Sequence, residues 1–378
     1  MTDKRISDMT LEEISSAISI VAVPTSTKVW FVRSGRAAKY WDDFRLNDYI
    51  GVDREDIPDF RSPEGNTVNT KEIQDKYRNQ IYQNSIRNLS ADEITRRKHS
   101  LTMSAARRAG VLRVFRHEIK IGDLVLSPGK GTKEFILGVV TSDAIISTIN
   151  HINLDFEYEQ SPFDNIRTVS WLKRVSFFDI PDEVKFIRHG NGSIFEVTEN
   201  IEKILPLYFS FYQYNGMFNA RITVGTKKAV TSDDLYDLQS VIVKTKNNPS
   251  ISIEQKTKIE SPGHLLLTSI LDPTSVQAML SVLHGLGISG GSAFVIKSGF
   301  KHADKIGALL ATVRDWSHNK KMNLREEAEK ELEMINLVDT TDMADEEKAE
   351  LRAQQLNVIR RFQISDSQVG EDINHDEL

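Results

Sequence analysis

The chain contains no cysteine among its 378 residues. This absence excludes disulfide bonds, thiolate zinc sites, iron–sulfur clusters and a cysteine nucleophile, and it is consistent with the reducing cytoplasm in which we expect the protein to reside. The sequence also lacks any apolar run close to the ~20 residues that span a bilayer. Its N-terminal stretch is polar and acidic. We therefore expect neither a signal peptide nor a membrane partner.

Recognisable catalytic motifs are also missing. The nine histidines are scattered without the spacing of a metal site, and no Gly-x-Ser-x-Gly elbow is present. Gly285–Gly290 spells the dinucleotide-binding fingerprint, but a predicted helix precedes it and a predicted strand follows it, which reverses the required order. The sequence therefore predicts no catalytic residue, no metal site and no cofactor.

The charge is distributed unevenly along the chain. The formal net charge is −6; residues 321–378 contribute −9 and the remainder contributes +3. Between Arg87 and Lys120 there are nine basic and three acidic residues. A mildly basic body permits nucleic-acid binding without demanding it, and an acidic tail of this composition is typical of a partly disordered segment.

The order of elements predicts an α+β protein with two domains and a tail. Several short strands separated by glycine-containing turns predict a small β-barrel within residues 1–205, interrupted by a helical insertion at about 57–112. Residues 206–318 predict a second α+β domain whose role the pattern does not define. Residues 319–378 predict a charged, partly helical tail.

Two capping boxes mark helix starts. Thr10–Glu13 predicts a short helix over 11–20, and Ser90–Glu93 begins a helix that continues to about Leu112. That second helix carries two arginine pairs whose members are eleven residues apart, so each pair shares a helix face. The pairs are Arg96 with Arg107 and Arg97 with Arg108. They form either a solvated helix face or a set of phosphate contacts.

The stretch FDNIRTVSWLKRV, residues 163–175, alternates like a strand. The alternation places Arg167, Val169, Trp171 and Lys173 on one face. An arginine and a tryptophan on one face indicate either the wall of a binding site or the capped core of a small barrel. The pattern leaves both interpretations open.

The ordered set of motifs resembles one known module. VWFVRSGRAAKYWDDFRLNDYIGV is followed by helices, by FRHEIKIGDLVLSPGKGTKEFILGVV, and then by IRTVSWLKRV and GSIFEV. Together, over about residues 26–205, they resemble the N-terminal domain of Mrr-type bacterial restriction endonucleases, a PUA-like and EVE-like β-barrel. The resemblance implies recognition of nucleic acid, including modified bases. It does not extend to the C-terminal half.

The resemblance also suggests site residues. Arg167 and Trp171 match the arginine and tryptophan of the family's pattern on that strand, and PUA-like pockets hold bases by aromatic stacking. Trp30 and Trp41 are further aromatic candidates, and Arg33 is placed to neutralise a phosphate. Each tryptophan is equally open to a core role. Gly138 would allow a bend or a close backbone approach.

We therefore expect a bacterial, cytoplasmic sensor or specificity subunit of a restriction or antiviral-defence system. It would bind nucleic acid or a nucleotide, and a protein effector or a second copy of the chain. One alternative is a metal-dependent nuclease that uses Glu254 and Lys256, although such Glu-x-Lys triplets recur by chance in this sequence. The other is a non-enzymatic adaptor whose barrel pocket is filled by its own side chains.

Overall fold

A computed structural model describes residues 20–53, 57–58, 60, 70–146, 158–188, 192–225, 229–246, 249–258, 263–286, 288, 345–362 and 364–366. They form helices and mixed sheets, which confirms the predicted α+β class. The chain divides into two compact units, residues 27–204 and residues 205–378 together with 1–26. The helix predicted over 11–20 lies outside the described residues except for Ile20. Most of the predicted tail also lies outside them, as do residues 303–318, for which the sequence likewise predicts a helix.

The strands are numbered along the chain. They are β1 (Val21–Ala22), β2 (Val29–Val32), β3 (Tyr49–Val52), β4 (Leu124–Pro128), β5 (Glu134–Val140), β6 (Ile145–Ile146), β7 (Asn165–Ser176), β8 (Ile194–Glu196), β9 (Phe211–Tyr214), β10 (Met217–Val224), β11 (Glu254–Lys258), β12 (Gly263–Ile270) and β13 (Ile364–Asp366). The α-helices are α1 (Trp41–Leu46), α2 (Thr70–Ile86), α3 (Ala91–Arg113), α4 (Ile201–Tyr208), α5 (Ser232–Thr245), α6 (Pro273–Gly285) and α7 (Asp345–Phe362). None of these described helices is long and apolar enough to cross a membrane.

Residues 27–204 form a sheet with the strand order β3-β7-β5-β4-β2-β8, to which β6 adds beside β7. Strand β2 pairs parallel with β4, and the other neighbours are antiparallel. The sheet curls into a half-barrel. On one face, Trp30, Val125 and Val169 pack in the core that also contains the helical residues. On the other face, Phe31 stacks on Phe195 with ring centroids 4.5 Å apart.

The helical insertion covers the first face of this sheet. In α2 the apolar residues Ile73, Tyr77 and Ile81 recur every four positions and are buried, as an amphipathic helix requires. The Ser90–Glu93 capping box is present and starts α3, which confirms that prediction. A π-helical turn, Val114–Glu118, continues α3 beyond its predicted end.

An irregularity in β7 changes which side chains share a face. Trp171 lies opposite Gly138 of β5, but Lys173 lies opposite Leu137, so one extra residue is inserted between them. The next pair is Arg174 with Ile136. A bulge of this kind shifts the alternation by one residue. Arg174, rather than Lys173, therefore follows Trp171 on the helix-covered face, which corrects the predicted alternation.

Gly138 makes this geometry possible. A Cβ atom at position 138 would lie 2.5 Å from Trp171 Cε3, 2.5 Å from Val169 Cγ1 and 3.0 Å from the Ser170 carbonyl oxygen. A side chain does not fit in that space. The predicted close backbone approach at Gly138 is therefore confirmed.

The second unit contains the sheet β1-β9-β10-β12-β11, with β13 beside the end of β10. Strand β1 pairs with β9, so Val21 and Ala22 belong to this sheet and not to the half-barrel, although the predicted first domain began at residue 1. Helix α5 starts from a Thr231 capping box. The sequence predicts a helix here with Ser232 or Thr231 as its cap, and the cap is Thr231. Arg361 of α7 forms a bidentate pair with Asp234 of α5, at 2.7 and 2.8 Å.

Candidate functional site

Arg167 is buried and fully engaged by the protein. Its side chain is 1% exposed. The guanidinium donates to the carbonyl oxygens of Phe115 at 2.8 Å, Ser142 at 2.8 Å and Arg116 at 3.2 Å. Carbonyls at the end of a helix have no partner within the helix, and arginine is well suited to satisfy them. Arg167 thus ties the π-helical turn to β7 and has almost no surface to offer a base.

Trp30 is equally buried, at 1% exposure, and its indole donates a 2.8 Å hydrogen bond to Asp123 Oδ2. Asp123 also accepts from the backbone N–H groups of Lys28 and Lys120. Burial raises the pKa of the Asp123 carboxyl, and these hydrogen bonds oppose that rise. Asp123 of the Gly122-Asp123 pair therefore links the start of β4 to β2 through these hydrogen bonds, and Trp30 is one of the donors.

Trp171 is half-buried and packs against the helix-covered core. Its indole N–H donates to the Phe44 carbonyl oxygen at 2.9 Å, which anchors β7 to α1. Arg33 places its guanidinium carbon 5.2 Å from the Phe31 ring centroid and donates a long 3.5 Å hydrogen bond to the Ile187 carbonyl. Arg33 and Trp171 do not meet in a base-binding cage with Trp30 and Arg167. Of the two interpretations of the strand, the geometry favours the capped core.

The four arginines of α3 have different surroundings. Arg108 forms a bidentate pair with Asp53 at 2.5 and 3.0 Å, so it fastens the helix to the chain after β3 instead of facing a ligand. Arg96, Arg97 and Arg107 are exposed, as is Lys98. These four form what we call the α3 surface. It extends along about 16 Å of helix, at a rise of about 1.5 Å per residue.

The α3 surface lies in an acid-free stretch. Residues 94–117 contain seven arginines and lysines and no aspartate or glutamate. Arg113 and Arg116 of this stretch are held by Glu118 and Asn165, as Arg108 is by Asp53. The first turn of α3 carries Asp92 and Glu93, and Glu93 interacts electrostatically with Arg97. Beyond that turn, Lys98 and Arg107 are exposed with no acidic residue between them. Such a patch attracts polyanions.

Trp41 belongs to a different cluster. It is 5% exposed, and the guanidinium carbons of Arg45 and Arg174 lie 5.7 and 5.4 Å from the centroid of its ring. Arg45 is one turn further along α1, and Arg174 projects from β7 beyond the bulge. Cation–π contacts of this length are favourable. We call these three residues the Trp41 cluster.

The sequence pointed to Trp41 but not to its two partners. Arg45 is the basic residue of a short helix that also carries Asp42 and Asp43, and a solvated position is the ordinary expectation for such a charge. Arg174 was overlooked because strict alternation along β7 points it away from Trp171, and only the bulge reverses its direction. The signal that could have located it is Gly138, since glycine inside a strand often marks a bulge.

The residues of the nuclease alternative lie on the edge strand β11. Glu254 and Lys256 are two residues apart, so they share a face of the strand, and both are exposed. Asp237, the upstream acid, accepts a 3.4 Å hydrogen bond from Asn357 of α7. No group of three histidine or acidic residues placed to hold a metal occurs in the part of the chain that the structure describes. The nuclease alternative gains no support from these positions.

The chain matches no protein-family model, no curated protein and no solved structure, which leaves its own side chains as the guide to its function.

Proposed function

We propose that residues 27–204 form a nucleic-acid-binding module that contacts the phosphate backbone through the α3 surface. The observation that carries this proposal is the acid-free stretch 94–117, from which Arg96, Arg97, Lys98 and Arg107 are exposed. Lysine and arginine neutralise phosphates and release counterions, and this supplies sequence-independent affinity.

This proposal differs from the base-stacking mechanism in what it requires. A stacked base needs an exposed aromatic face, and Trp30 and Arg167 are almost completely covered. Backbone contact needs only exposed positive charge on a rigid element, which α3 provides. Reading of modified bases through Trp171 and Arg167 therefore gains no support. The wider role as a specificity subunit of a restriction or anti-phage system, with residues 206–378 contacting a protein effector, is proposed from the resemblance alone.

Salt-dependent binding tests the proposal. Fluorescence anisotropy with labelled duplex DNA, single-stranded DNA and RNA is measured between low and physiological salt. The double variant R96Q/R107Q removes two exposed charges from one helix face. We expect weaker binding to every sequence. The plot of log affinity against log salt should also become less steep, by about 0.9 for each phosphate of B-DNA that the variant no longer neutralises.

The matched control removes the same charge elsewhere. Lys256 and Arg352 are both exposed and both lie in the second unit. The variant K256Q/R352Q should bind like the wild type, because neither residue belongs to the α3 surface. That result would show that the weaker binding of R96Q/R107Q does not come from a lower net positive charge alone. Equal affinities of R96Q/R107Q and the wild type, or no binding of any nucleic acid at low salt, would contradict the proposed function.

A further inference from the structure

The Trp41 cluster holds several hydrogen-bond donors that no described residue satisfies. Trp41 Nε1, Arg45 Nε, Arg45 Nη1 and Arg174 Nε are inaccessible to solvent, and none has an acceptor within the described part of the protein. Buried N–H groups almost always have partners, because leaving one unpaired costs about 1–3 kcal/mol and more for a charged group. Four such atoms on three adjoining side chains indicate a missing acceptor.

The register of the sheet adds a hydroxyl to the same neighbourhood. Ser127 of β4 lies opposite Ile136 of β5, and Ile136 lies opposite Arg174 of β7. Residues directly opposite one another point to the same face of a sheet. Ser127 therefore shares a face with Arg174, two strand spacings or about 10 Å away along the row. Its hydroxyl oxygen is also buried and without a partner among the described residues.

The carboxylates near the cluster do not satisfy it. Asp42 is the nearest acid to Arg45, and its Oδ1 lies 3.7 Å from Nη2, which is beyond hydrogen-bond distance. Its other oxygen lies 3.7 Å from Lys130 Nζ on the β4–β5 turn. Glu134 contributes a further negative charge near Arg45. Against these two acids stand three cations, Arg45, Arg174 and Lys130.

The two arginines are electrostatically unfavourable as they stand. The Arg45 side chain is 1% exposed. Burial lowers the pKa of the Arg45 guanidinium, the positive charge of Arg174 lowers it further, and Asp42 and Glu134 offset part of this effect. An anion held by both guanidinium groups would replace repulsion with two attractive contacts and would accept the unused hydrogen bonds.

We propose that the Trp41 cluster binds one phosphate group through Arg45, Arg174 and the indole N–H of Trp41, with the Ser127 hydroxyl at its margin. A tetrahedral phosphate offers enough oxygen atoms to accept from all four unused N–H positions, whereas a chloride ion accepts without direction. Arg174 is partly exposed and Lys130 is 71% exposed, so the cluster reaches the surface on this side.

The Trp41 cluster shares no residue with the α3 surface. Binding of phosphate is therefore proposed independently, and only the identity of the molecule that carries the phosphate rests on the proposed nucleic-acid binding. The test is isothermal titration of the full chain with inorganic phosphate in chloride buffer at constant ionic strength. We expect saturable binding of one phosphate per chain. Arg174→Gln should weaken it by about tenfold or more, because a charged hydrogen bond is removed. Trp41→Phe keeps an aromatic ring but removes the indole N–H, and it should weaken binding severalfold.

Two controls separate binding from folding. Arg352→Gln makes the same substitution at an exposed arginine of the second unit, outside both proposed sites, and should leave phosphate affinity unchanged. Arg174→Lys keeps the charge but removes the Nε–H, and it replaces Arg174→Gln if that variant fails to fold by circular dichroism. No saturable heat with wild-type protein would overturn the proposal. Phosphate affinity of both Trp41→Phe and the Arg174 variant equal to that of the wild type would also overturn it.

The carrier is identified by comparing three competitors of bound phosphate: a nucleoside monophosphate, a terminally phosphorylated oligonucleotide and the same oligonucleotide with a terminal hydroxyl. Stronger competition by the phosphorylated oligonucleotide supports the site as a reader of nucleic-acid ends. Competition by the mononucleotide alone supports it as a nucleotide site. If both proposals hold, R96Q/R107Q loses nucleic-acid affinity and keeps phosphate affinity. Wild-type nucleic-acid affinity in R96Q/R107Q refutes the proposed function alone, and phosphate affinity unchanged in both Trp41→Phe and Arg174→Gln refutes the phosphate site alone.

Discussion

The replacement of Gly138 by alanine tests the packing that underlies the whole half-barrel. The added Cβ would lie 2.5 Å from two carbon atoms, Trp171 Cε3 and Val169 Cγ1. Carbon atoms pack at about 3.5–4.0 Å, so each of these distances falls short by about 1 Å. Neither neighbour can move freely, since Val169 is 1% exposed and Trp171 is tied to the Phe44 carbonyl. Overpacking of this kind destabilises by about 1–3 kcal/mol, and two rigid neighbours place G138A in the upper half of that range.

Urea denaturation followed by tryptophan fluorescence measures this destabilisation in the full chain. Three of the four tryptophans, Trp30, Trp41 and Trp171, belong to residues 27–204, so the signal reports mainly on this unit. Gly110 is the matched control. It lies inside α3, and a Cβ there would meet only Gln74 Nε2 at 3.7 Å, an ordinary van der Waals distance. G110A should therefore stabilise the unit by about 0.5–1 kcal/mol through helix propensity.

The two alanine variants thus have opposite expected signs. A free energy of unfolding for G138A within about 0.3 kcal/mol of the wild type, a difference typical of neutral surface changes, would refute the close approach. The double variant G138A/W171L gives a second check, because the smaller side chain relieves one of the two clashes. Its destabilisation should be less than the sum of those of the single variants, since contacting residues couple.

Three further outcomes are expected. Arg167→Met should destabilise the 27–204 unit by about 2–4 kcal/mol in urea denaturation, because three carbonyl groups lose a charged donor. The nucleic-acid affinity of the folded protein should not change. A loss of affinity without a loss of stability would support the base-site interpretation instead. Arg45→Met should leave stability unchanged or raise it, since it removes unpaired buried donors, while abolishing phosphate binding; strong destabilisation would indicate a structural role. The ion pair with Arg361 and the hydrogen bond from the Thr231 N–H hold the pKa of the Asp234 carboxyl well below its usual range. The ionised carboxylate therefore stabilises the second unit above about pH 4, and this stabilisation is lost as the pH falls towards the lowered pKa. Arg361→Gln should therefore flatten the acid limb of the stability profile, and an unchanged limb would contradict this linkage.

Local chemistry made much of the fold predictable. Short-range patterns predict the Ser90 capping box, a helix capped by Ser232 or Thr231, a helical segment from Lys71 and the strands on either side of the β4–β5 turn. The features that could not be predicted depend on distant partners. Pairing of β1 with β9 joins residues 191 positions apart in sequence, Val21 with Tyr212 and Ala22 with Gln213, which no local pattern encodes. Asp53 likewise lies fifty-five positions from Arg108, whose spacing with Arg97 had suggested an exposed face.

The candidate site was less predictable because residue type indicates chemistry but not surroundings. Trp171, Arg167 and Trp30 are chemically suitable for holding a nucleotide, yet the protein itself supplies the partner of each polar group. Arg174 became visible only after the bulge beside Gly138 had reversed its direction. A strict period of two predicts the faces of a regular strand, and one inserted residue reassigns every side chain beyond it.

Two buried arginines of this protein differ in whether the protein itself supplies their hydrogen-bond acceptors. This difference distinguishes an arginine that stabilises the fold from one that we propose binds a ligand. Arg167 and Arg45 have the same 1% side-chain exposure within the same unit. Arg167 donates to three carbonyl oxygens, so its burial is explained by the fold. Arg45 leaves two nitrogen atoms without an acceptor among the described residues and lies near a second guanidinium. The cation–π contacts with Trp41 offset only part of this cost, and an apolar side chain of similar volume at such a buried position is often neutral or stabilising. Arg167→Met and Arg45→Met therefore have different expected effects on stability. The comparison distinguishes an arginine that stabilises the half-barrel from one that we propose binds an anion.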